Sequence, residues 1–260
     1  PSQIRNRYLK YCFSHSIRCY MSPKISDIIL LGTDRIHLFD TPLLMCRNQG
    51  LSMEQRAAKR VLDIIVSGLG IIVSSPIMLI IAIAVKAYDG GPVFYLQDRL
   101  TYQGKEFRIR KFRSMCVDSE KNGARLASKH DSRITPVGHV LRNLHLDELP
   151  QLFNVFMGDM SLVGPRPERD VIMQEYEQEI PEFHYRLKVK AGLTGYAQVY
   201  GKYNTTPYDK LKLDLFYIEN YSFLLDIKLL FMTVKIFFQK EVSEGVDDDQ
   251  KNALKDSQDK

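Results

Sequence analysis

The stretch IIVSGLGIIVSSPIMLIIAIAV, residues 64–85, decides how this chain folds, because it contains no charged side chain. A straight α-helix of that length would be about 33 Å long, enough to cross the roughly 30 Å hydrocarbon core of a bilayer. Hydropathy alone therefore favours a helix that spans a membrane.

Two features of the same stretch favour a helix that enters and leaves through one face of the bilayer. Pro76, preceded by Ser75, lies near its middle, where proline removes a backbone hydrogen bond and nearby serine hydroxyls can satisfy the freed carbonyl. Lys59 and Arg60 precede the stretch and Lys86 follows it, and basic residues favour the cytoplasmic side. Each arm of such a re-entrant hairpin would be about 16 Å long. From the residues alone, the hairpin and a kinked span are equally favoured.

The composition is that of a globular protein with a basic balance. Of 260 residues, 45% are hydrophobic and 26% are charged, and the formal charge of +5 suits anionic partners such as phosphates, nucleotides or lipid headgroups. The four cysteines are far apart and form no CxxC motif, which predicts free thiols in a reducing compartment. Residues 1–20 are basic and aromatic, so no signal peptide is predicted there.

The segments next to the apolar stretch have ordinary secondary-structure signals. Ser52 and Gln55 form a capping box at a helix start. After the stretch, the alternating segments VFYLQ (93–97) and EFRIRKF (106–112) predict a β-hairpin. Residues 99–113 include six basic side chains and one acidic side chain, which indicates a solvated strand face or, as the alternative, an anion site.

The two ends of the chain are less specific. A short apolar run within residues 26–44 predicts a strand. Residues 224–238 predict an amphipathic helix, which either lies in a membrane interface with its lysines reaching outward or packs into the protein core. The tail at 243–260 has few apolar residues and is predicted to be disordered.

Two adjacent carboxylates, Asp147 and Glu148, are the strongest chemical signal in the sequence. Pro150 follows them, and proline is tolerated only in the first turn of a helix, so both lie at or just before a helix start. Adjacent residues point in different directions, which suits separate roles: one meets an electrophile and the other binds a metal or a proton. The alternative is a helix cap without catalytic function.

Arginines near the two carboxylates point to phosphate. Arg142 lies five residues before Asp147, and Arg166 is held between two prolines in the segment GPRPE (164–168). A planar guanidinium suits phosphate oxygens, so the set predicts phosphoryl chemistry at a lipid surface. A non-catalytic membrane scaffold is the rival reading, and nucleic-acid binding is disfavoured because no reader motif is present.

Several segments, in this order, resemble the bacterial sugar transferases, monotopic enzymes that load a sugar phosphate onto polyprenyl phosphate. They are KRVLDIIVSGLGIIVSSPIM (59–78), GGPVFYLQDRL (90–100), FRIRKFRSM (107–115), LDELPQLFNVFMGDMSLVGPRPE (146–168) and KAGLTGYAQVYGK (190–202). The resemblance covers roughly residues 55–242.

The resemblance assigns roles to individual residues. It implies that Asp147 attacks the β-phosphate of a UDP-sugar to form a sugar-phosphoryl aspartate, and that Glu148, with Asp147, binds Mg²⁺. Arg166 and Arg142 would hold phosphate oxygens. Lys111 and Arg113 would face the polyprenyl phosphate, and the membrane helix would break at Ser75 and Pro76. His145, where other members differ, is interpreted as a tolerated neighbour.

The resemblance also implies an architecture and a location. The fold would be helix-rich α+β, with a re-entrant membrane helix, a small β-hairpin and amphipathic interfacial helices. Residues 1–54 would be the tail of a regulatory region, 55–88 the membrane helix, 89–242 the catalytic domain and 243–260 a polar tail. The protein would act at the cytoplasmic face of the bacterial plasma membrane, and homo-oligomer formation stays open.

The implied substrates are a UDP-sugar and undecaprenyl phosphate. Segment 202–222 resembles most closely the members that initiate capsule or exopolysaccharide synthesis, commonly from UDP-glucose or UDP-galactose. A UDP-N-acetylhexosamine donor is the alternative.

Overall fold

The computed structural model describes residues 2–46, 50–117, 131–202 and 204–237. The helices are α1 (Ser2–Ser14), α2 (Ile25–Leu31), α3 (Met53–Asp89), α4 (Pro136–Asn143), α5 (Gln151–Met157), α6 (Asp170–Glu179), α7 (Tyr196–Tyr200), α8 (Pro207–Glu219) and α9 (Phe223–Phe237). The strands are β1 (Asp34–Leu38), β2 (Thr41–Met45), β3 (Phe94–Leu100), β4 (Glu106–Phe112), β5 (Ser161–Val163) and β6 (Gly192–Thr194). Short 3₁₀ helices cover Tyr102–Gly104, Leu146–Glu148 and Pro181–Lys188. The predicted helix-rich α+β class is therefore confirmed.

The strands form three two-stranded sheets. β1 pairs with β2 and β3 with β4, both antiparallel, whereas β5 pairs with β6 in parallel. The predicted hairpin at residues 93–112 is thus confirmed, and Tyr95 lies opposite Lys111 in its register. The turn between β3 and β4 uses left-handed backbone at Gln103 and Gly104.

The predicted strand within residues 26–44 is partly wrong. Its apolar run, Ile28–Leu31, belongs to helix α2, and the strands β1 and β2 follow that helix. Ile25 and Ile28 are buried, whereas Leu30 and Leu31 are exposed, so the run has one inward face, as a helix of this spacing requires.

The apolar stretch belongs to the long helix α3, which begins at the predicted capping box. Gln55 N–H donates to Ser52 Oγ at 3.2 Å, and the Gln55 side chain accepts from Ser52 N–H at 2.8 Å. The helix continues through Pro76. Proline cannot donate to the carbonyl of Ile72, four residues before it, and Ser75 Oγ donates to that carbonyl instead, at 2.8 Å. The break into two arms stays a prediction.

Helix α3 has two different faces. The buried face consists of Lys59, Asp63 and Ser67 in the first half and Met78, Ile81 and Val85 in the second half, and none of residues 68–77 is buried. The opposite face exposes Val61, Ile64, Ile65, Leu69, Ile72, Val73, Ile77, Leu79, Ile80 and Ile83. Within the described residues, α3 is the one helix long and apolar enough to cross a membrane. An exposed apolar surface of this size is typical of contact with lipid or with a partner protein.

The main core contains residues of α2 and the segment before α3 together with residues of the strands and helices that follow α3. Its fully buried members include Val155, Val163, Phe183, Leu211 and Leu229. A smaller cluster joins the second half of α3 to β4 and α4 through Met78, Phe112 and Leu141. Both halves of α3 are therefore packed against the same domain.

The predicted amphipathic helix at 224–238 is observed as α9. Leu224, Phe231 and Val234 are exposed, while Asp226 and Leu229 are completely buried. Asp226 accepts from Lys59 Nζ at 2.7 Å and from Tyr217 Oη at 2.7 Å. The ion pair with Lys59 therefore links α9 to the N-terminal part of α3. The proposed domain boundaries stay a prediction, and the tail at 243–260 lies outside the described residues.

Candidate active site

Asp147 and Glu148 occupy a 3₁₀ turn directly before helix α5, as Pro150 predicted. His145 precedes the turn with a φ of 53°, which reverses the chain sharply after α4. Asp147 is buried, with 9% of its surface exposed. Within the described part of the chain, its carboxylate makes no hydrogen bond or ion pair, so its oxygens are available for reaction.

The carboxylate of Glu148 pairs with two cationic side chains. Its Oε1 accepts from Lys111 Nζ at 2.6 Å and from Arg166 Nη2 at 2.9 Å. Lys111 comes from strand β4 and Arg166 from the loop after β5. The site is therefore assembled from three separate elements around one carboxylate.

The same surroundings move the pKa values of the two carboxyls in opposite directions. Burial acts to raise the pKa of Glu148, but the charges of Arg166 and Lys111 outweigh it and bring that pKa well below its usual range. Burial raises the pKa of Asp147, and Glu148 adds to this while Lys111 opposes it. Carboxyls whose pKa values are separated in this way can take different chemical roles.

The other predicted cations lie near the site with partners of their own. Arg142 Nε donates to Ser114 Oγ at 2.9 Å, and the positive charge of Arg142 acts to lower the pKa of Asp147. Arg113 is buried and forms an ion pair with Asp89 at the end of α3. The structure thus brings Lys111 and Arg166 onto Glu148, whereas Arg142 and Arg113 contact other groups.

Asn154 was missed by the sequence reading, although it fixes the position of the site. It is completely buried in α5, where its Oδ1 accepts from Arg110 N–H at 3.0 Å and its Nδ2 donates to Arg108 C=O at 2.8 Å. This side chain continues the hydrogen bonding of strand β4, so it fixes the distance between Lys111 and the carboxylates. An amide within the apolar segment LFNVF was the available signal.

Asp63 was missed as well, because it lies one residue before the uncharged stretch. Its Oδ1 accepts from Ser161 Oγ at 3.0 Å and from Leu162 N–H at 2.9 Å. Strand β5 leads directly into the segment 164–168. Helix α3 is therefore tied to strand β5, which leads into the loop that contains Arg166.

Two further arginines fix the loop around Arg166. Arg186 Nη2 donates to the carbonyl of Arg166 at 3.0 Å, and Arg99 Nη1 donates to the carbonyl of Pro167 at 3.0 Å. Arg186 also pairs with Glu168 and with the buried Asp214. Because both carbonyls are held by charged donors, the backbone that presents Arg166 is well fixed.

The carboxylates fit a magnesium ion only in part. Among the described residues, no group of three His, Cys, Asp or Glu side chains is placed to hold a metal. Glu148 uses Oε1 for both of its cations, which leaves Oε2, together with Asp147, for a metal ion. Mg²⁺ commonly combines one or two carboxylates with substrate phosphates, so this set fits Mg²⁺ when a diphosphate supplies the other ligands.

The space beside the cations is small. A cavity of about 20 Å³ is lined by Arg99, Lys111, Gln151 and Arg166, among others. It accommodates about one water-sized group. A larger cleft of about 880 Å³ lies elsewhere, beside Arg56, Tyr102 and Lys188, and neither the two carboxylates nor their cations line it. The small cavity is lined by Lys111 and Arg166, the two partners of Glu148, so we place the candidate reactive centre at the carboxylates beside this cavity.

Comparison with known proteins identifies the family of this chain. The family model of bacterial sugar transferases matches residues 54–240. The chain is 44% identical over 232 residues to UDP-N-acetylgalactosamine-undecaprenyl-phosphate N-acetylgalactosaminephosphotransferase of Aeromonas hydrophila, covering 88% of this chain and 54% of that protein.

Two other relatives act on different sugars by name. UDP-glucose:undecaprenyl-phosphate glucose-1-phosphate transferase of Klebsiella pneumoniae is 43% identical, covering 78% of this chain and 43% of that protein. Undecaprenyl-phosphate galactose phosphotransferase of Salmonella typhimurium is 36% identical, covering 84% of this chain and 49% of that protein. The chain spans about half the length of these relatives. By the extent of these matches, this chain belongs to the bacterial sugar transferase family.

Proposed function

We propose that this protein transfers a hexose-1-phosphate from a UDP-sugar to undecaprenyl phosphate and releases UMP. UDP-glucose and UDP-galactose are the proposed donors, with a UDP-N-acetylhexosamine as the alternative. The reaction would be the first membrane step of capsule or exopolysaccharide synthesis.

One observation carries this proposal. The buried carboxylate of Asp147 makes no hydrogen bond or ion pair among the described residues, and it lies next to a second carboxylate, Glu148, whose charge is balanced by Lys111 and Arg166. A structural helix cap would instead bond its carboxylate to backbone N–H groups. The arrangement suits a nucleophile beside a cationic site for phosphate oxygens.

In the proposed first step, an Asp147 oxygen attacks the β-phosphorus of the UDP-sugar. A bond from that oxygen to phosphorus forms, and the bond from phosphorus to the bridging oxygen breaks, so UMP leaves with the electron pair. Arg166 and Lys111 balance charge on the phosphoryl oxygens, and Arg142 adds positive charge near Asp147.

In the second step, an oxygen of undecaprenyl phosphate attacks the same phosphorus and releases Asp147 as a carboxylate. The product is an undecaprenyl diphosphate sugar. Lys111 and Arg113 lie on and just after strand β4, and we assign them to the side from which the lipid phosphate approaches. Bound Mg²⁺, held by Asp147, Glu148 and the diphosphate, would neutralise phosphate charge.

The pH dependence of the first step follows from the burial of Asp147. Only the ionised carboxylate attacks, and its pKa lies above the usual 3.8, so the rate should fall when pH drops through this raised pKa. Lys111→Met removes a positive charge that lowers the pKa of Asp147. In this variant, the fall of the rate at acidic pH should therefore begin at a higher pH. The measurement is UMP release in a single turnover across pH. Arg108→Met, a change at an exposed side chain on the same strand, is the control. An unchanged pH–rate profile in Lys111→Met would contradict the role of Asp147 as the ionised nucleophile.

For the membrane, we propose that α3 enters and leaves through the cytoplasmic face and bends at Ser75 and Pro76. Three observations support this: the exposed apolar face of α3, basic residues at both ends, and packing of both halves on one domain. Interfacial contact by the exposed side chains of α9 would add to the attachment.

Two native thiols test this topology. Cys46 precedes α3, Cys116 follows it, and both are free and exposed. In single-cysteine variants, both should react with a membrane-impermeant maleimide from the cytoplasmic side of inverted vesicles. Pro76→Leu should straighten the helix, so that the two thiols react from opposite sides. Opposite-side labelling in the protein with Pro76 intact would contradict the re-entrant path.

The function itself is tested by UMP release. Purified protein in lipid is incubated with Mg²⁺, undecaprenyl phosphate and, separately, UDP-glucose, UDP-galactose and their N-acetyl relatives. We expect UMP and lipid-linked sugar from at least one donor. No UMP from any of them would favour the rival function, a membrane scaffold.

A further inference from the structure

A second cleft, of about 360 Å³, lies between strand β3 and the start of helix α6. Residues Tyr95–Leu100 form one wall, and Arg169, Asp170 and Val171 form the other. The volume is in the range of small-molecule sites. The first-step chemistry described above does not use this cleft.

The wall formed by β3 is the edge of that strand that faces away from β4. Within the described residues β3 pairs only with β4, on its other side. Leu100 N–H points away from β4, because it donates to Glu168 C=O at 3.0 Å, whereas Val93 C=O accepts from Arg113 N–H on the β4 side. Since strand residues alternate, the N–H and C=O of Leu96 and Asp98 point to the cleft. Such an edge offers donors and acceptors side by side.

A line of polar side chains joins this cleft to the reactive centre. Arg99 Nε donates to Gln97 Oε1 at 3.0 Å, and Gln97 Nε2 donates to Tyr95 Oη at 2.8 Å. Tyr95 lies opposite Lys111 in the hairpin register. Arg99 lines both this cleft and the small cavity beside Lys111 and Arg166. The two spaces are therefore neighbours.

The cleft is lined by charges of both signs, Arg99 and Arg169 together with Asp98, Glu106 and Asp170, which suits a neutral nucleoside, whereas phosphates are expected beside Arg99 and Arg166. Burial lowers the pKa of Arg99; Glu168 opposes this, while the charges of Arg169 and Arg166 add to it. Glu168 is shared by Arg99, Arg186 and Lys210, and Glu148 is shared by Arg166 and Lys111, so cationic side chains outnumber carboxylates here and an anion beside Arg99 and Arg166 would be stabilised. A diphosphate supplies such an anion.

We propose that this cleft binds the uridine end of the UDP-sugar, with the diphosphate passing Arg99 to reach Asp147. The inference rests on the function proposed above. From Tyr95 to Asp98 the strand extends about 10 Å, a span that a diphosphate and ribose can cover. The uracil N3–H and an adjacent carbonyl match the C=O and N–H of one residue on the strand edge.

Photolabelling locates the nucleoside directly. The chain in lipid nanodiscs is irradiated with UMP that has an azide on the uracil ring, with and without excess UMP, and is then digested with trypsin. UMP-protectable label is expected in the peptides Ala87–Arg99 or Asp170–Arg186, which include both walls except Leu100 and Arg169. Protectable label confined to other peptides would overturn the cleft assignment and leave the transferase function intact. No protectable label anywhere would overturn both.

A cleft-filling variant gives a second readout. Val171 is 74% exposed at the cleft wall, so Val171→Trp should block the nucleoside without disturbing the core. We expect KM for the UDP-sugar to rise about tenfold or more, with kcat nearly unchanged. Gln178→Trp, an exposed change on the same helix outside the cleft, should leave both constants unchanged. Equal KM values for the two variants would contradict the assignment.

Discussion

Asp147→Asn should abolish turnover, with UMP release reduced by about three orders of magnitude or more. The amide has nearly the same shape, but it lacks the negative oxygen that bonds to phosphorus. The side chain is buried and makes no hydrogen bond among the described residues, so its replacement should leave the fold intact. The measurement is UMP release with the best donor, beside the melting temperature of each variant.

The matched control is Asp40→Asn, an exposed aspartate in the turn between β1 and β2. It should keep full activity, because it lies outside the site. Glu148→Gln should also be strongly impaired, since Lys111 and Arg166 lose the carboxylate between them. Activity of Asp147→Asn close to that of Asp40→Asn would contradict the nucleophilic role.

Lys59→Met should destabilise the fold by about 3–5 kcal/mol, because it leaves the carboxylate of Asp226 buried and uncompensated. The side chains of this ion pair are 7% and 0% exposed, and Lys59 Nζ also donates to Tyr217 Oη at 2.9 Å. The pair joins the N-terminal part of helix α3 to α9. The measurement is the free energy of unfolding in denaturant, in a fixed detergent.

Two further variants test whether the buried, uncompensated carboxylate of Asp226 causes the loss of stability in Lys59→Met. Lys59→Met combined with Asp226→Leu removes both charges and should recover much of the lost stability. Lys212→Met breaks a pair whose Asp209 side chain is 51% exposed and should cost less than about 1 kcal/mol. If Lys59→Met lowered the free energy of unfolding as little as Lys212→Met, the Lys59–Asp226 pair would not be important for the stability of the fold.

Local patterns in the sequence predicted the elements that local interactions determine. The capping box at Ser52, the β3–β4 hairpin and the turn before Pro150 all depend on residues within a few positions of one another. The apolar run at Ile28–Leu31 was interpreted as a strand because so short a run shows no clear helical or strand period. In the structure it forms part of helix α2.

Residues that act over long distances along the chain could not be predicted in the same way. Asp63 contacts Leu162, and Lys59 contacts Asp226, across 99 and 167 positions. The sequence left open whether residues 224–238 lie in a membrane interface or pack into the core, and it did not show that Asp226 is buried against Lys59. The sequence also suggested four cations for phosphate, and only the fold shows that Lys111 and Arg166 meet at Glu148.

The most direct test of the account is the mass of the protein after reaction with its donor alone. The chain is mixed with Mg²⁺ and the active UDP-sugar without undecaprenyl phosphate, quenched rapidly and digested. The account predicts a peptide containing Asp147 that is heavier by one sugar phosphate, and the loss of this species when the lipid is added. Lipid-linked product formed at full rate while Asp147 never gains this mass would contradict it.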